Sequence, residues 1–247
     1  MEYVDWAPVY GRIAQEFGFA FDREVRSADR LEALLPPAAR SDPLVRIRRR
    51  LSGRDVIVVG LAPRAGPPPI WRLPSAGPAP AVIAADGATE TCLDAGLVPN
   101  VIVTDLDGPL AAEVGANRRG SLAIVHAHGD NLAAITEWTP QFPGELAGSW
   151  AGPPRPALFN VGGFTDGDRG VFLAEHCGAR RILLWGFDFA SVDEPEPAAR
   201  ARKLAKLAWA HRLIEELARS GRAPIERWER DGSRVPYSGG KSVESTR

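Results

Sequence analysis

The residues best suited to chemistry are Asp105 and Asp107, which stand two positions apart directly after the apolar run Val101–Thr104. Such a run is typical of a strand buried in a parallel sheet, where ligands bind beyond the carboxyl ends of the strands. Mg²⁺ is commonly held by one or two carboxylates together with substrate phosphates. The pair therefore predicts a metal site for phosphate chemistry. The alternative is an Asx-type turn that only caps the next helix.

Polar residues also follow four other predicted strands, in the segments 86–88, 126–131 and 162–169 and at Asp188. The glycine after Asp86 would let the backbone approach a ligand closely, and a helix that starts near Thr165 would offer free N–H groups to an anion. Asp86 and Thr165 could instead only cap helices. His126 and His128 could form either a zinc site or a hydrogen-bonded polar cluster. Acidic residues at so many strand ends exceed what capping requires, so the sequence favours a site for polyphosphate and Mg²⁺.

Composition limits the functional classes. The chain has 247 residues, 45% of them hydrophobic, and a formal net charge of -1, which fits a globular protein and argues against a general nucleic-acid binder. No apolar run approaches the roughly 20 residues that span a bilayer, and the first residues lack a signal-peptide pattern, so we expect a cytoplasmic protein. Cys92 and Cys177 are isolated, which predicts neither a disulfide framework nor a cysteine-type zinc site.

The elements that must position these residues follow from periodicity. Residues 1–54 carry apolar residues at helical spacing and predict an N-terminal helical segment with a break at Pro36. Strands are predicted at 56–61, 81–85, 101–104, 122–126, 157–161 and 182–187, with helices at 89–95, 131–138 and 168–177. This alternation is typical of crossover units. The predicted fold class is α/β, a Rossmann-like and mostly parallel sheet flanked by helices.

The same patterns divide the chain into segments. Residues 55–222 form the predicted α/β catalytic domain, which ends in a long helix over 198–219. Residues 223–247 predict a C-terminal hairpin around Asp231 and a mobile tail. Two intervals rich in proline and glycine, 63–80 and 139–156, are predicted to be loops of a length that is often functional.

Four segments together resemble one known family. Residues 85–88, 103–108, 126–131 and 162–169 match, in order and in their flanking strands, the archaeal-type 6-hydroxymethyl-7,8-dihydropterin pyrophosphokinases, whose catalytic core is similar to that of thiamine pyrophosphokinases. The resemblance covers roughly residues 55–220 and implies transfer of the β,γ-diphosphate of ATP to the hydroxymethyl group of a reduced pterin, with release of AMP. The pathway implied is that of methanopterin- or folate-type cofactors. The implied partners are ATP, Mg²⁺ and the pterin. Composition predicts no nucleic-acid or membrane partner, and self-association into a homo-oligomer is left open.

The resemblance also implies roles for individual residues. Asp105 and Asp107 would hold Mg²⁺ and act in catalysis together with Arg169. The nucleotide would be bound by Gly60, Asp86, Gly87, Thr104 and Lys203. The pterin would be bound by His126, His128, Asp130, Asn131, Gly163, Phe164, Thr165, Asp166 and Asp168. For Lys203, and for Lys206 one turn further along the helix, a solvated helix face is the alternative.

Other assignments fit less well. Residues 105–108 also resemble the nucleophile motif of haloacid-dehalogenase-type phosphatases, but Pro109 replaces the usual Thr or Val and no lysine precedes Lys203. Residues 239–242 echo a P-loop without its first glycine, and no dinucleotide fingerprint follows the first strand. The turn at 60–66 and the segment 148–154 depart from the family's pattern. Diphosphate transfer to thiamine or another alcohol, and nucleotide binding without catalysis, therefore remain as alternatives.

Overall fold

A computed structural model describes residues 2–62, 66–69 and 78–237. The chain begins with four helices: α1 (Tyr3–Phe17), α2 (Phe21–Leu34), α3 (Pro37–Arg40) and α4 (Pro43–Leu51). The prediction of an N-terminal helical layer is thus confirmed. The break falls between Leu34 and Pro37, and α4 starts with a proline in its first turn, which suits a position where the backbone N–H would lack a helical partner.

The remaining elements build one sheet and its helical cover. The strands are β1 (Asp55–Val59), β2 (Ala81–Ala85), β3 (Val101–Thr104), β4 (Leu122–Ala127), β5 (Leu146–Trp150), β6 (Leu158–Phe159), β7 (Arg181–Trp185), β8 (Ile225–Trp228) and β9 (Arg234–Pro236). The helices are α5 (Ala88–Asp94), α6 (Leu110–Arg118), α7 (Leu132–Trp138), α8 (Asp166–His176) and α9 (Pro197–Ser220). The strand order is β6-β5-β4-β3-β2-β1-β7-β8-β9, and every pairing is parallel except that of β8 with β9. The α/β fold class is confirmed.

The central strands are buried on both faces, which is why they appear in the sequence as continuous apolar runs. In β1, Val56 and Val58 belong to the core that includes α1, α8 and α9, whereas Ile57 and Val59 belong to the core beneath α5. A third core lies under α2 and α7 at the β4–β5 side of the sheet. Helices therefore cover both faces, and the carboxyl ends of the parallel strands form one open edge.

The predicted loop over 139–156 is wrong. This interval contains a 3-10 turn, Thr139–Gln141, and the whole of β5, which is buried between β4 and β6. The glycine that made it look like a loop serves packing, because a Cβ on Gly148 would lie 2.4 Å from Leu158 and 2.9 Å from Leu35. Helix α6 also lies in a stretch with no predicted element.

The predicted C-terminal hairpin forms one edge of the sheet. Its first strand, β8, pairs with β7 in parallel orientation and with β9 in antiparallel orientation. The predicted mobile tail, the P-loop-like residues 239–242 and most of the predicted loop at 63–80 lie outside the described residues. Within the described ranges, no helix combines the length and the apolar character that a membrane crossing would need.

The packing at Gly148 leads to a stability prediction. We expect Gly148→Val to lower the free energy of unfolding by roughly 1–3 kcal/mol, because the new side chain would collide with leucines of α2 and of β6. Strand propensity alone predicts the opposite sign, since valine favours strands more than glycine does. Urea denaturation measures the difference.

Gly115→Ala is the matched control, since outside the backbone of α6 and the two chain neighbours no described atom lies within 4 Å of the added Cβ. Replacing a helical glycine with alanine in open space should stabilise the protein by about 0.5–1 kcal/mol. A Gly148→Val protein as stable as the wild type would contradict the packing explanation.

Candidate active site

Three aspartates converge at the open edge of the sheet. Asp86 follows β2, and Asp105 and Asp107 follow β3, with one carboxylate oxygen of each lying within 4.8 Å of the others. The backbone N–H of Asp86 donates a 2.8 Å hydrogen bond to the carbonyl of Val103 and so joins the two strand ends. Asp86 and Leu106 have positive φ angles of 44° and 70°, a conformation that is strained for residues with side chains and often found at functional sites.

Thr104 supports this turn from below. Its Oγ1 donates to Asp86 Oδ1 over 3.1 Å and accepts from the N–H of Leu106 over 2.9 Å. Gly108 leaves room for the same carboxylate, because a Cβ there would lie 2.3 Å from Asp86 Oδ2. Thr104 is fully buried, and its two hydrogen bonds hold Asp86 and the turn after β3 in place.

The charges of this triad perturb one another. Burial, and then the charges of Asp105 and Asp86, raise the pKa of Asp107 to about 7. Burial also raises the pKa of Asp86, with Asp105 adding to the effect. Burial pushes the pKa of Asp105 in the same direction, but the hydrogen bond and charge of His128 outweigh it, and this pKa lies below its usual range. Like charges packed this closely favour either a proton or a cation among them.

Asp105 is oriented by the segment that follows β4. His128 Nε2 lies 3.3 Å from Asp105 Oδ2, and its Nδ1 accepts from the N–H of Asp130, so Nε2 carries the proton directed at Asp105. Asn131 Nδ2 donates to the carbonyls of Asp105 and His126, both over 2.7 Å. Asn131 thereby ties the ends of β3 and β4 together.

The zinc alternative for the histidine pair receives no support from the described residues, in which neither histidine belongs to a group with metal-site geometry. His126 is buried, and its Nδ1 lies 3.0 Å from Ser149 Oγ of β5. Burial holds the pKa of His126 well below its usual range, so this ring is neutral and belongs to a hydrogen-bonded polar cluster.

The turn before α8 is a capping box. Thr165 and Asp168 bond to each other's backbone, and both carboxylate oxygens of Asp168 accept hydrogen bonds, from the N–H groups of Phe164 and Thr165. Gly163 has a φ of 89°, and a Cβ there would lie 2.5 Å from the Cα of Arg169. Arg169 is buried and donates to the carbonyl of Phe164, while its Nε has no partner among the described residues.

Two adjoining cavities meet at Asp86. The carboxylate cavity, of ≈ 350 Å³, is lined by Tyr10, Phe19, Asp86, Asp105, Asp107, His126, His128, Asp130, Phe164, Thr165, Asp166, Arg169, Val192, Lys203, Lys206 and Leu207. The glycine cavity, of ≈ 590 Å³, includes Gly60, Gly87, Gly167, Gly186 and Phe187. Asp86, Asp166 and Lys203 line both, so one ligand in each cavity would meet at these side chains.

Most of the predicted site residues therefore lie together at these cavities. Four of them line neither: Thr104, Asn131, Gly163 and Asp168. They shape the turns that carry the lining residues. Lys203 lines both cavities while it also donates to Glu194 over 2.8 Å.

Sequence reasoning missed three contributors. Tyr10 and Phe19, from the N-terminal helices, line the carboxylate cavity, and only the aromatic content of that segment could have indicated them. Glu113 of α6 is fully buried beside Asp86. Burial, and then the charge of Asp86, raise the pKa of Glu113 to about 9, so it is neutral at pH 7. No motif in the sequence signals its position.

An open α/β sheet with clustered carboxylates, a buried arginine and two lysines at its strand ends is typical of enzymes that act on polyphosphates with a divalent cation. The family model described as 6-hydroxymethylpterin diphosphokinase MptE-like matches residues 38–194, and the chain belongs to this family. The family predicted from the motifs is thus confirmed.

Three relatives named 6-hydroxymethyl-7,8-dihydropterin pyrophosphokinase are similar over nearly the whole chain. The protein of Methanothermobacter thermautotrophicus is 39% identical over 239 residues, which cover 92% of this chain and 100% of the relative. That of Pyrococcus furiosus is 37% identical, covering 91% and 98%. That of Methanocaldococcus jannaschii is 34% identical, covering 88% and 96%.

The buried Glu113 predicts a pH-dependent stability in the metal-free protein. The folded state keeps its proton up to about pH 9, whereas a carboxyl group with the ordinary value of 4.5 releases it far earlier in the unfolded chain. The contribution of this group to stability is therefore full below pH 4.5 and is lost as the pH rises toward 9. We expect Glu113→Gln to gain stability relative to wild type across that interval.

Urea denaturation in EDTA at several pH values tests this expectation. Glu90→Gln, at an exposed position of α5, controls for the removal of one negative charge. A stability difference between wild type and Glu113→Gln that does not change from pH 5 to pH 9 would show that Glu113 ionises normally in the folded protein.

Proposed function

We propose that this protein transfers the β,γ-diphosphate of ATP to the hydroxymethyl oxygen of 6-hydroxymethyl-7,8-dihydropterin and releases AMP. The names of three relatives that match nearly the whole chain support this reaction. The structural observation that carries the proposal is the triad of Asp86, Asp105 and Asp107, with its oxygens within 4.8 Å of one another. The product would enter the route to methanopterin- or folate-type cofactors.

The donor set of the triad fits Mg²⁺, which prefers carboxylate oxygens supplemented by substrate phosphates. Asp105 Oδ1 is buried and accepts no hydrogen bond from the described part of the chain, so it has a lone pair free for a cation. We assign Asp105 and Asp107 as the ligands, with Asp86 beside them. When bound, the ion would neutralise negative charge on the phosphate oxygens.

The chain supplies further positive charge from Arg169, Lys203 and Lys206, which line the carboxylate cavity and would stabilise the charge of the transferred group.

In the reaction, the hydroxymethyl oxygen forms a bond to the β-phosphorus. The bond from that phosphorus to the α,β-bridging oxygen breaks, and AMP keeps this oxygen with its electron pair. We assign removal of the hydroxyl proton to Asp166, which lines both cavities and whose pKa is raised by burial and by the charges of Asp105 and Asp86.

To Thr104, Asn131 and Asp168 we assign positioning roles in place of substrate contacts. Thr104 and Asn131 hold the triad through the hydrogen bonds described above, and Asp168 fixes the turn that presents Thr165 and Asp166. A displacement of about 1 Å in such a support can reduce a reaction rate substantially even though the support touches no substrate.

The metal assignment predicts the effect of removing one charge from the triad. We expect Asp107→Asn and Asp105→Asn to lower turnover by roughly 100-fold or more, because each removes an anionic ligand at the reacting phosphates. The melting temperature of metal-free Asp107→Asn should not fall, since the substitution relieves repulsion from its two neighbours.

The measurement is chromatographic separation of AMP from ADP after incubation of the protein with ATP, Mg²⁺ and 6-hydroxymethyl-7,8-dihydropterin. Wild type should release AMP in step with pterin diphosphate and should stop when EDTA is added. Asp94→Asn, at an exposed position near the end of α5, controls for the loss of a carboxylate elsewhere. A large stability loss with residual turnover in the triad variants would instead favour a purely structural turn.

A further inference from the structure

The carboxylate cavity is completed by parts of the chain that lie outside the residues matched by the family model. Tyr10 and Phe19 come from the N-terminal layer, and Lys203 and Lys206 come from α9, whereas the family model ends at residue 194 and begins at residue 38. The matched region supplies the triad and the turns. The outer layers therefore close the cavity, which raises the question of which substrate they contact.

Phe19 is held in place from several sides. Its ring lies 5.7 Å from that of Phe17 and 6.2 Å from that of Phe164, measured between ring centroids. The guanidinium of Arg202 on α9 lies 5.8 Å from the Phe19 centroid. Phe19 is only partly buried and lines the carboxylate cavity, so part of a firmly held aromatic ring is available to a planar ligand.

The polar groups beside this aromatic wall complement one edge of a pterin. The pyrimidine half of a pterin presents adjacent N–H donors, at the ring nitrogen and the exocyclic amine, next to a carbonyl acceptor. Asp130 and the hydroxyl of Tyr10 provide acceptors for the N–H groups.

The glycine cavity suits the larger substrate, ATP. It is the larger of the two, at ≈ 590 Å³ against ≈ 350 Å³, and it is walled partly by backbone. A Cβ on Gly60 would lie 2.7 Å from the carbonyl oxygen of Gly186, and one on Gly87 would lie 2.6 Å from the Leu61 side chain. The two glycines therefore let the turns after β1 and β2 pack tightly against their neighbours, and this close packing shapes the wall of the cavity. The aromatic ring of Phe187 also lines this cavity.

We infer that the two substrates divide between the cavities: the pterin binds in the carboxylate cavity against Phe19 and Tyr10, and ATP binds in the glycine cavity against Phe187. This inference rests on the proposed function and adds the residues that determine acceptor specificity. The β-phosphate then lies at the shared wall formed by Asp86, Asp166 and Lys203, where the hydroxymethyl group of the pterin can reach it.

Isothermal titration calorimetry with two ligands tests the division. The ligands are 6-hydroxymethyl-7,8-dihydropterin and α,β-methylene-ATP, each titrated into Mg²⁺-containing protein. Phe19→Leu should raise the Kd of the pterin roughly tenfold and leave that of the ATP analogue unchanged, because only one stacking face is lost. Phe187→Leu, the matched control in the other cavity, should show the reverse. Phe19→Tyr keeps the ring and should restore pterin binding.

The thermal unfolding of each variant shows whether the variant is folded. If Phe19→Leu does not fold, the comparison of Phe19→Tyr with Phe187→Leu still tests the division. Equal effects of Phe19→Leu and Phe187→Leu on both ligands, or effects opposite to those expected, would overturn the division. The proposed function would still stand after such a result, provided that the wild type releases AMP with the pterin. A wild type that neither binds the pterin nor releases AMP would overturn both.

Discussion

Asp86, Asp105 and Asp107 bring carboxylate oxygens within 4.8 Å of one another, and like charges at that separation repel strongly in a partly buried site. The surrounding structure opposes this repulsion with directed contacts, since Thr104 donates to Asp86 and His128 to Asp105. Two residues with positive φ hold the backbone turns. Burial and this repulsion together raise the pKa of Asp107, so a metal ion and a proton would compete for the same place.

The sheet makes this arrangement reproducible. Because β2, β3 and β4 are adjacent and parallel, the residues after them arrive at one edge in a fixed register. Asn131 then reaches across from the β4 side and binds the carbonyls of Asp105 and His126. Strain and charge repulsion of a few kcal/mol can be sustained at such an edge because the buried strands over-determine the backbone beneath it.

The fold class and the triad could be predicted from the sequence because their signals are local. Continuous apolar runs mark strands covered on both faces, and carboxylates directly after such runs must lie at the sheet edge. Strand β5 could not be predicted, because a glycine taken alone indicates a turn. The reason for Gly148 is its close packing against Leu35 and Leu158, which only the folded structure shows. The position of the fully buried Glu113 could not be predicted either, because no sequence motif marks it. Its closeness to Asp86 depends on how α6 packs against the sheet.

The contribution of the N-terminal layer depends on contacts that are distant in sequence. Glu24 accepts a 3.2 Å hydrogen bond from the N–H of Gly129, and Trp209 of α9 donates one of 2.8 Å to Glu16 of α1. The layer is therefore joined both to the turn that orients Asp105 and to the helix that carries the lysines. In the proposed arrangement the phosphate chemistry takes place at the sheet edge, while the acceptor contacts helices packed around that edge. Changes in that wall could alter which alcohol is accepted without disturbing the triad, because the two share contacts but no ligand atoms.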